Sequence, residues 1–225
     1  MKTDIIISLG GSIIVPEDID IDFLKRFRQL IITQTKTKRF FIICGGGRTC
    51  RKYLNAAAKI TKLDSEDLDW LGIHSTRLNA HLLRTIFRKY AYPKIVKNPT
   101  EKVKTNKKVI IAAGWKPGCS TDYDAVLLAK AHGIKTIINL SNIDYAYDKD
   151  PRKFPGAEPI LRTDWKTFRS YLPKKWDPGL NSPFEPIASK EAQKLKLKVI
   201  IANGRNIKNL KNIFENKDFK GSIIE

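Results

Sequence analysis

The sequence is poor in several things, and each shortage excludes a class of protein. Three cysteines, Cys44, Cys50 and Cys119, show no metal-ligand spacing and are too few for a disulfide framework. That scarcity points to a reducing, cytoplasmic setting. No apolar run approaches the roughly 18 residues needed to cross a bilayer. The start, MKTDIIISLGGS, lacks the length and small-residue cleavage site of a secretory signal. Low-complexity tracts and a convincing internal repeat are both missing. So are the motifs GxxxxGK[ST], GxGxxG, HExxH, CxxC and GxSxG, which removes the Walker, dinucleotide, zincin and serine-hydrolase readings.

Acidic residues are also short: 23 Asp+Glu face 42 Lys+Arg, a formal net charge of +19 over 225 residues. Such a field attracts anions, nucleotides and nucleic acid among them. The basic residues are mostly lysines scattered over helix faces, and the densest run, KNPTEKVKTNKK at 97–108, reads as a solvated connector. Composition bias explains the charge better than specific nucleic-acid binding, for which no motif is present. The length and a hydrophobic content of 42% suit a globular chain with a substantial core.

What is present is a strand–loop–helix unit at 107–131, KKVIIAAGWKPGCSTDYDAVLLAKA. Residues 107–113 form a buried strand, and helical spacing resumes at Ala125 with Val126, Leu128, Ala129 and Ala131. The loop between them turns at Pro117-Gly118, and Ser120, Thr121 or Asp122 is the candidate helix cap. Free N–H groups and the helix dipole make such a loop an anion site, to which Lys116 adds a full charge.

The device recurs. Strand 4–9 ends at Gly10-Gly11-Ser12, and strand 39–44 ends at Gly45-Gly46-Gly47. Helices are expected at 23–31, at 48–60, and over 65–90 with a break or bend near Gly72 and closure by Pro93. Further strands are expected at 135–140, 198–202 and 222–224. Further helices start at Thr163, carrying Trp165, Phe168 and Leu172, run through Ala188, Ala192 and Leu195, and span 206–214. A Pro- and Gly-rich loop fills 176–186. The alternation predicts an α/β fold with helices on both faces of a mainly parallel sheet, and ligands bind at the carboxyl ends of such strands.

Glycine loops, cations and carboxylates without a nucleophile suit phosphoryl transfer, which depends on positioning and charge neutralisation. The candidate cations are Arg48, Arg51, Lys116 and Lys190. The candidate carboxylates, for orienting them or holding Mg²⁺, are Asp122, Asp124, Asp144 and Asp150. His74, His81 and His132 read as surface or packing residues on helices.

These residues together resemble the uridylate (UMP) kinases of the amino acid kinase superfamily, in their shorter archaeal form. The likeness runs through Leu9-Gly10-Gly11-Ser12, Gly45-Gly46-Gly47 with Arg51, Asp69-x-x-Gly72-Ile73, Thr76-Arg77-x-Asn79-Ala80, the 114–122 loop, Asn142-x-Asp144 with Tyr147 and Asp150-Pro151, and Pro186-x-Ala188-x-Lys190. The Asp69 to Ala80 pattern is the part most particular to UMP kinases.

The resemblance implies one three-layer αβα sandwich over 1–225, its first part mainly for UMP and its part from about 135 mainly for ATP. It implies UMP contacts from Gly46, Asp69 and the loop Gly114, Trp115, Lys116, Pro117, Gly118, Cys119, Ser120 and Thr121. ATP contacts would come from Gly10, Gly11, Ser12, Gly47, Arg51, Ser141, Tyr147 and Asp150. Lys190, Arg51, Lys116 and Asp122 are the candidate catalytic residues, with Mg²⁺ held through the phosphates, no protein metal site, and a homo-oligomer, hexameric in many relatives.

The chain departs from its relatives at identifiable points. Ser8 stands where many have a lysine, and Lys116 is a candidate to replace that charge. Trp115, Lys116, Cys119 and Ser120 alter four positions of a loop that reads G-T-H-P-G-H-T-T-D in archaeal members, and Glu185 replaces an aspartate before Pro186. The rival readings are another small-acid or phosphate kinase of the superfamily, such as an isopentenyl phosphate or acetylglutamate kinase, and a non-catalytic basic nucleic-acid-binding protein.

Overall fold

A computed structural model of the chain describes residues 3–173 and 182–225. The elements in order are β1 (Thr3–Leu9), α1 (Gly11–Ile14), α2 (Ile21–Gln34), β2 (Lys38–Cys44), α3 (Gly47–Ala58), α4 (Ser65–Ile86), β3 (Val109–Ala112) and α5 (Thr121–His132). There follow β4 (Thr136–Ser141), β5 (Ala146–Tyr147), β6 (Pro159–Ile160), β7 (Arg162–Thr163), α6 (Trp165–Ser170), α7 (Pro186–Lys194), β8 (Lys198–Asn203), α8 (Ile207–Phe214) and β9 (Ser222–Ile224).

Seven strands form one sheet in the order β3-β2-β1-β4-β8-β9-β7, and β5 pairs with β6 apart from it. The strands β3, β2, β1, β4 and β8 are mutually parallel, while β9 runs antiparallel to β8. The chain steps outward from β1 to β2 to β3, then returns to lay β4 on the other side of β1. That reversal puts a crevice between the carboxyl ends of β1 and β4.

Alternation along each strand sends neighbouring side chains to opposite faces. Ile5, Ile7 and Leu9 join Phe23, Phe27, Ile31, Leu83, Phe87, Leu210 and Phe214 from α2, α4 and α8. Ile6, Phe41 and Ile43 join Val126, Leu128, Phe168, Ala188 and Ala192 from α5, α6 and α7. With both faces covered, the central strands are mostly apolar, Ser8 and Asn139 excepted, which is why they read as near-continuous runs rather than alternating ones.

Three local expectations are corrected, and the cap of α5 is as expected. Helix α4 runs unbroken through Gly72: a Cβ there would meet only Cys50 Sγ at 3.9 Å, so packing of α4 across the sheet outweighs one glycine, a penalty of about 1 kcal/mol. Helix α5 begins at Thr121, directly after the candidate cap Ser120, whose Oγ accepts the Tyr123 N–H. Thr163 belongs to β7; α6 starts at Trp165 under the cap of Asp164, and Leu172 lies past its end. Strand β3 is shorter than 107–113, its pairing with β2 spanning Val109 to Ala112. Of the loop expected at 176–186, residues 176–181 lie outside those described.

Candidate active site

The glycine loops at the ends of β1 and β2 touch backbone to backbone. A Cβ on Gly11 would lie 2.6 Å from both Gly47 Cα and the Gly45 carbonyl carbon, and closer still to Gly47 N. Side chains are thus excluded by contact, and Gly47 also needs its φ of +64° to open α3. The Gly10 N–H donates to the Leu140 carbonyl of β4 (2.8 Å), tying the first loop across the crevice. From α4, Asn79 Nδ2 donates to the carbonyls of Gly45 (2.8 Å) and Gly46 (3.2 Å), fixing the second.

The third loop, between β3 and α5, is held mainly from α4. The Gly114 N–H donates to Thr76 Oγ1 (2.8 Å), Arg77 Nη2 donates to the Trp115 carbonyl (2.9 Å), and the Gly118 N–H donates to Asp69 Oδ2 (2.7 Å). Gly118 takes φ +78° after Pro117, as a tight turn requires. From α5, Asp124 Oδ2 accepts the Trp115 N–H (3.1 Å). Lys116 Nζ lies 4.3 Å from the centroid of the Trp115 ring, with no ion pair of its own among the described residues. The Cys119 thiol is pushed up to about 11, first by burial and then by the negative charge of Asp124.

At the crevice, Ser8 and Asn139 are register partners on β1 and β4, and both donate to Asp122 Oδ1, at 3.2 and 3.3 Å. Desolvation and the neighbouring Glu185 carboxylate push Asp122 up to about 7, against the lowering effect of its hydrogen bonds. The Glu185 side chain accepts from Ser120 Oγ (3.0 Å) and from the N–H groups of Ile187 (2.6 Å) and Ala188 (2.8 Å). It therefore caps α7 while bonding the residue that caps α5. Lys190, one turn into α7, is exposed and unpaired among the described residues.

Arg51 projects from α3, exposed and likewise unpaired, whereas Arg48 pairs with Glu17 at 3.0 Å. Ser141 ends β4 beside the first glycine loop, and a Cβ on Gly10 would lie 3.6 Å from its Cα. Tyr147 sits in β5 and Asp150 just beyond it, where Arg152 holds the Asp150 carboxylate below its usual range. Asp144 accepts from Asn203 Nδ2 at 3.0 Å. Residues 10–12, 45–47, 114–122 and 141 are thus gathered at one end of the sheet, and α7, which carries Lys190, is tied to it at its head by the Glu185–Ser120 bond.

In the sequence Thr76, Arg77 and Asn79 stand only as pattern residues, and Asp124 only as a candidate carboxylate. Their work as loop anchors is new, as are the bonds of Asn139 and Glu185. One signal was available: Thr76 and Asn79, three apart on a helix, are buried polar residues that need partners. Among the histidines, His132 packs its ring 4.4 Å from that of Phe41, and His74 lies beside Trp70.

The geometry has counterparts among known proteins. The model of the amino acid kinase family matches residues 4–203. A uridylate kinase of Thermoplasma volcanium is 35% identical over 231 aligned positions, which cover 100% of this chain and 99% of that protein. One from Thermococcus kodakarensis is 32% identical over 224 positions, covering 98% and 99%. The crystal structure of uridylate kinase from Archaeoglobus fulgidus superposes with a TM-score of 0.83 at 25% identity, covering all of both chains. The UMP kinase of Ureaplasma parvum, at 19% identity and a TM-score of 0.79, shares the fold. Matched end to end in sequence and in shape, the chain belongs to the amino acid kinase family, as a relative of its uridylate kinases.

Proposed function

We propose that the chain is an ATP-dependent kinase that transfers the γ-phosphoryl group of ATP to UMP, giving UDP. The observation that carries this reading is the end-to-end identity of 35% and 32% with two uridylate kinases. The site agrees with it: three small-residue loops and unpaired cations gathered at the strand ends suit a phosphate-rich pair of ligands.

In this reading UMP lies against Gly46, Asp69 and the 114–121 loop, which the first part of the chain builds. ATP lies against Gly10, Gly11, Ser12, Gly47, Arg51 and Ser141, with Tyr147 and Asp150 toward its outer end. Lys190 and Arg51, without partners among the described residues, neutralise charge on the phosphoryl group as it passes between the nucleotides. The Gly11–Gly47 contact sets how closely the two glycine loops approach, and so fixes the floor on which the phosphates meet.

The carboxylates present fit a metal carried in by the nucleotide rather than one caged by protein. Asp124 is buried beneath Trp115, Asp144 is bonded to Asn203 and Asp150 to Arg152, which leaves Asp122, of these four, at the crevice. Mg²⁺ bound through the phosphates supplies charge neutralisation and alignment. Ser8 donates a hydrogen bond to Asp122 where many relatives carry a lysine, so the positive charge facing the phosphates comes from Lys190, Arg51 and Lys116. A cytoplasmic homo-oligomer, a hexamer on the pattern of many relatives, completes the proposal. Among the described residues no helix is long and apolar enough to cross a membrane.

A coupled assay of ATP turnover with Mg²⁺ over UMP, CMP, dTMP, isopentenyl phosphate and N-acetylglutamate tests the reading. UMP is expected to stimulate turnover far above the other acceptors. Equal or better turnover with isopentenyl phosphate or N-acetylglutamate would overturn it.

A further inference from the structure

Among the described residues, two buried side-chain atoms have no hydrogen-bond partner: Arg77 Nε and Asp124 Oδ1. They belong to different helices, α4 and α5, yet both side chains end on the same residue. Arg77 Nη2 donates to the Trp115 carbonyl at 2.9 Å, and the Trp115 N–H donates to Asp124 Oδ2 at 3.1 Å. One residue of backbone is gripped by a cation on its carbonyl side and by a carboxylate on its amide side.

This grip is poor economy as a device for stability. A buried ionisable group with an open valence is unfavourable, and replacing both partners with apolar side chains of similar shape is often neutral or stabilising. Asp124 is wholly buried, and its neighbours Ala125 and Val126 pack into an apolar layer. What the pair does achieve is placement. The other anchors of this loop, Thr76 and Asp69, both hang it from α4. Asp124 instead bonds it to α5, whose cap Ser120 is bonded to Glu185 at the head of α7.

We propose that Arg77 and Asp124 are positioning residues that together fix the Trp115 backbone, and with it the Trp115 indole and Lys116 as one wall of the acceptor side of the cleft. The functional half of this inference rests on reading that cleft as the UMP site. Neither residue touches a reacting atom. A loop held in place before the acceptor arrives spares that acceptor the entropy of ordering it, so the clamp acts on binding more than on the chemical step.

Three variants test it: Asp124→Leu, Arg77→Met and Asp124→Asn. Each is measured for the KM of UMP and of ATP, for kcat, for thermal midpoint, and for amide hydrogen exchange across residues 113–119. The Leu and Met variants should move the thermal midpoint little, since each removes a polar group with an open valence while leaving one backbone group of Trp115 unpaired. Their UMP KM should rise about tenfold, the scale of losing one hydrogen bond and leaving its backbone partner unpaired, while ATP KM moves little and the loop amides exchange faster. Asp124→Asn retains an oxygen to accept the Trp115 N–H, so its UMP KM and loop exchange should stay within about threefold of the parent.

Unchanged UMP KM and unchanged loop exchange in folded Asp124→Leu and Arg77→Met would overturn the proposal. So would a parallel loss of both substrates with a lowered thermal midpoint, which marks a merely structural role. Asp124→Asn as impaired as Asp124→Leu would show that charge, not the grip, matters. Should Asp124→Leu not fold, Arg77→Met and Asp124→Asn decide by the same criteria. Should the parent not phosphorylate UMP, the functional reading fails by itself, and loop exchange in the variants still decides whether the clamp exists.

Discussion

Asp69 and Gly118 lie 49 residues apart in the chain and are joined by one hydrogen bond of 2.7 Å, the Gly118 N–H donating to Asp69 Oδ2. The carboxylate sits on α4 and the amide at the tip of the loop after β3, where Gly118 alone tolerates the positive φ. One oxygen of Asp69 is therefore committed to the loop. In the proposed UMP complex the other is the one that faces the ribose hydroxyls.

Asp69→Asn separates these two tasks, since a carboxamide oxygen can keep the Gly118 bond while the charge is lost. UMP affinity should fall roughly ten- to hundredfold, the scale of about 1.5–3 kcal/mol for a hydrogen bond to a charged group, with ATP affinity nearly intact. Titration calorimetry with each nucleotide checks it. Equal weakening of both nucleotides would count against a role at the ribose.

Lys190 and Lys116 should separate by kinetic signature. A charge aimed at the transferring group acts mostly in the transition state, so Lys190→Met should lower kcat by roughly a hundredfold or more. A charge that holds the acceptor throughout acts on binding, so Lys116→Met should raise the UMP KM while kcat changes less. Steady-state kinetics decide both. A near-normal kcat in Lys190→Met removes that residue from the phosphoryl group.

Gly11→Ala should be severe although it adds a single methyl group. The new Cβ would meet the backbone of Gly45 and Gly47 at 2.6 Å, and backbone cannot move aside as a side-chain tip can. The destabilisation should reach or exceed the roughly 1–3 kcal/mol typical of core overpacking, with loss of ATP affinity. A thermal melt with and without ATP measures it, and a parent-like melt would mean that the loops separate freely.

Stability should fall as pH rises from about 4 to about 7. Desolvation, joined by Glu185 in the case of Asp122, raises Asp122 and Asp124 from 3.8 to about 7. In this window these two acids bind more protons in the folded chain than in the unfolded one, while His132, lowered by burial, acts in the opposite direction. The stabilisation from these two acids is thus complete below the unfolded value and is lost as pH climbs through the folded one. Asp124 is wholly buried and carries the larger part, while Asp122 keeps some contact with solvent. Below about pH 4 the depressed carboxylates Asp150, Asp164 and Glu215 act in the opposite direction. Urea unfolding at pH 5 and pH 7.5 should show the slope, and Asp124→Asn should flatten it. A slope identical in Asp124→Asn would remove Asp124 from this account.

The sequence alone determined the repeating unit of strand, glycine loop and helix, the side of the sheet on which the loops collect, and the family. The first two are legible because they rest on local chemistry: apolar runs that must be buried on both faces, glycines where a side chain cannot fit, and capping residues ahead of helices; the family was legible only through the likeness of motif residues such as Asp69 to Ala80. Even so, the continuity of α4 through Gly72 needed the fold, since a packed face overrode the residue that suggested a break. Only the tertiary structure decided that Gly11 meets Gly47, that Ser8 and Asn139 converge on Asp122, and that Arg77 and Asp124 close on Trp115 from two helices. Each of these relationships joins residues that no local periodicity connects. Side chains of one helix satisfy the backbone of a distant loop only after the sheet has brought the two together, and hydrophobic patterning, which builds the sheet, carries no record of those partners.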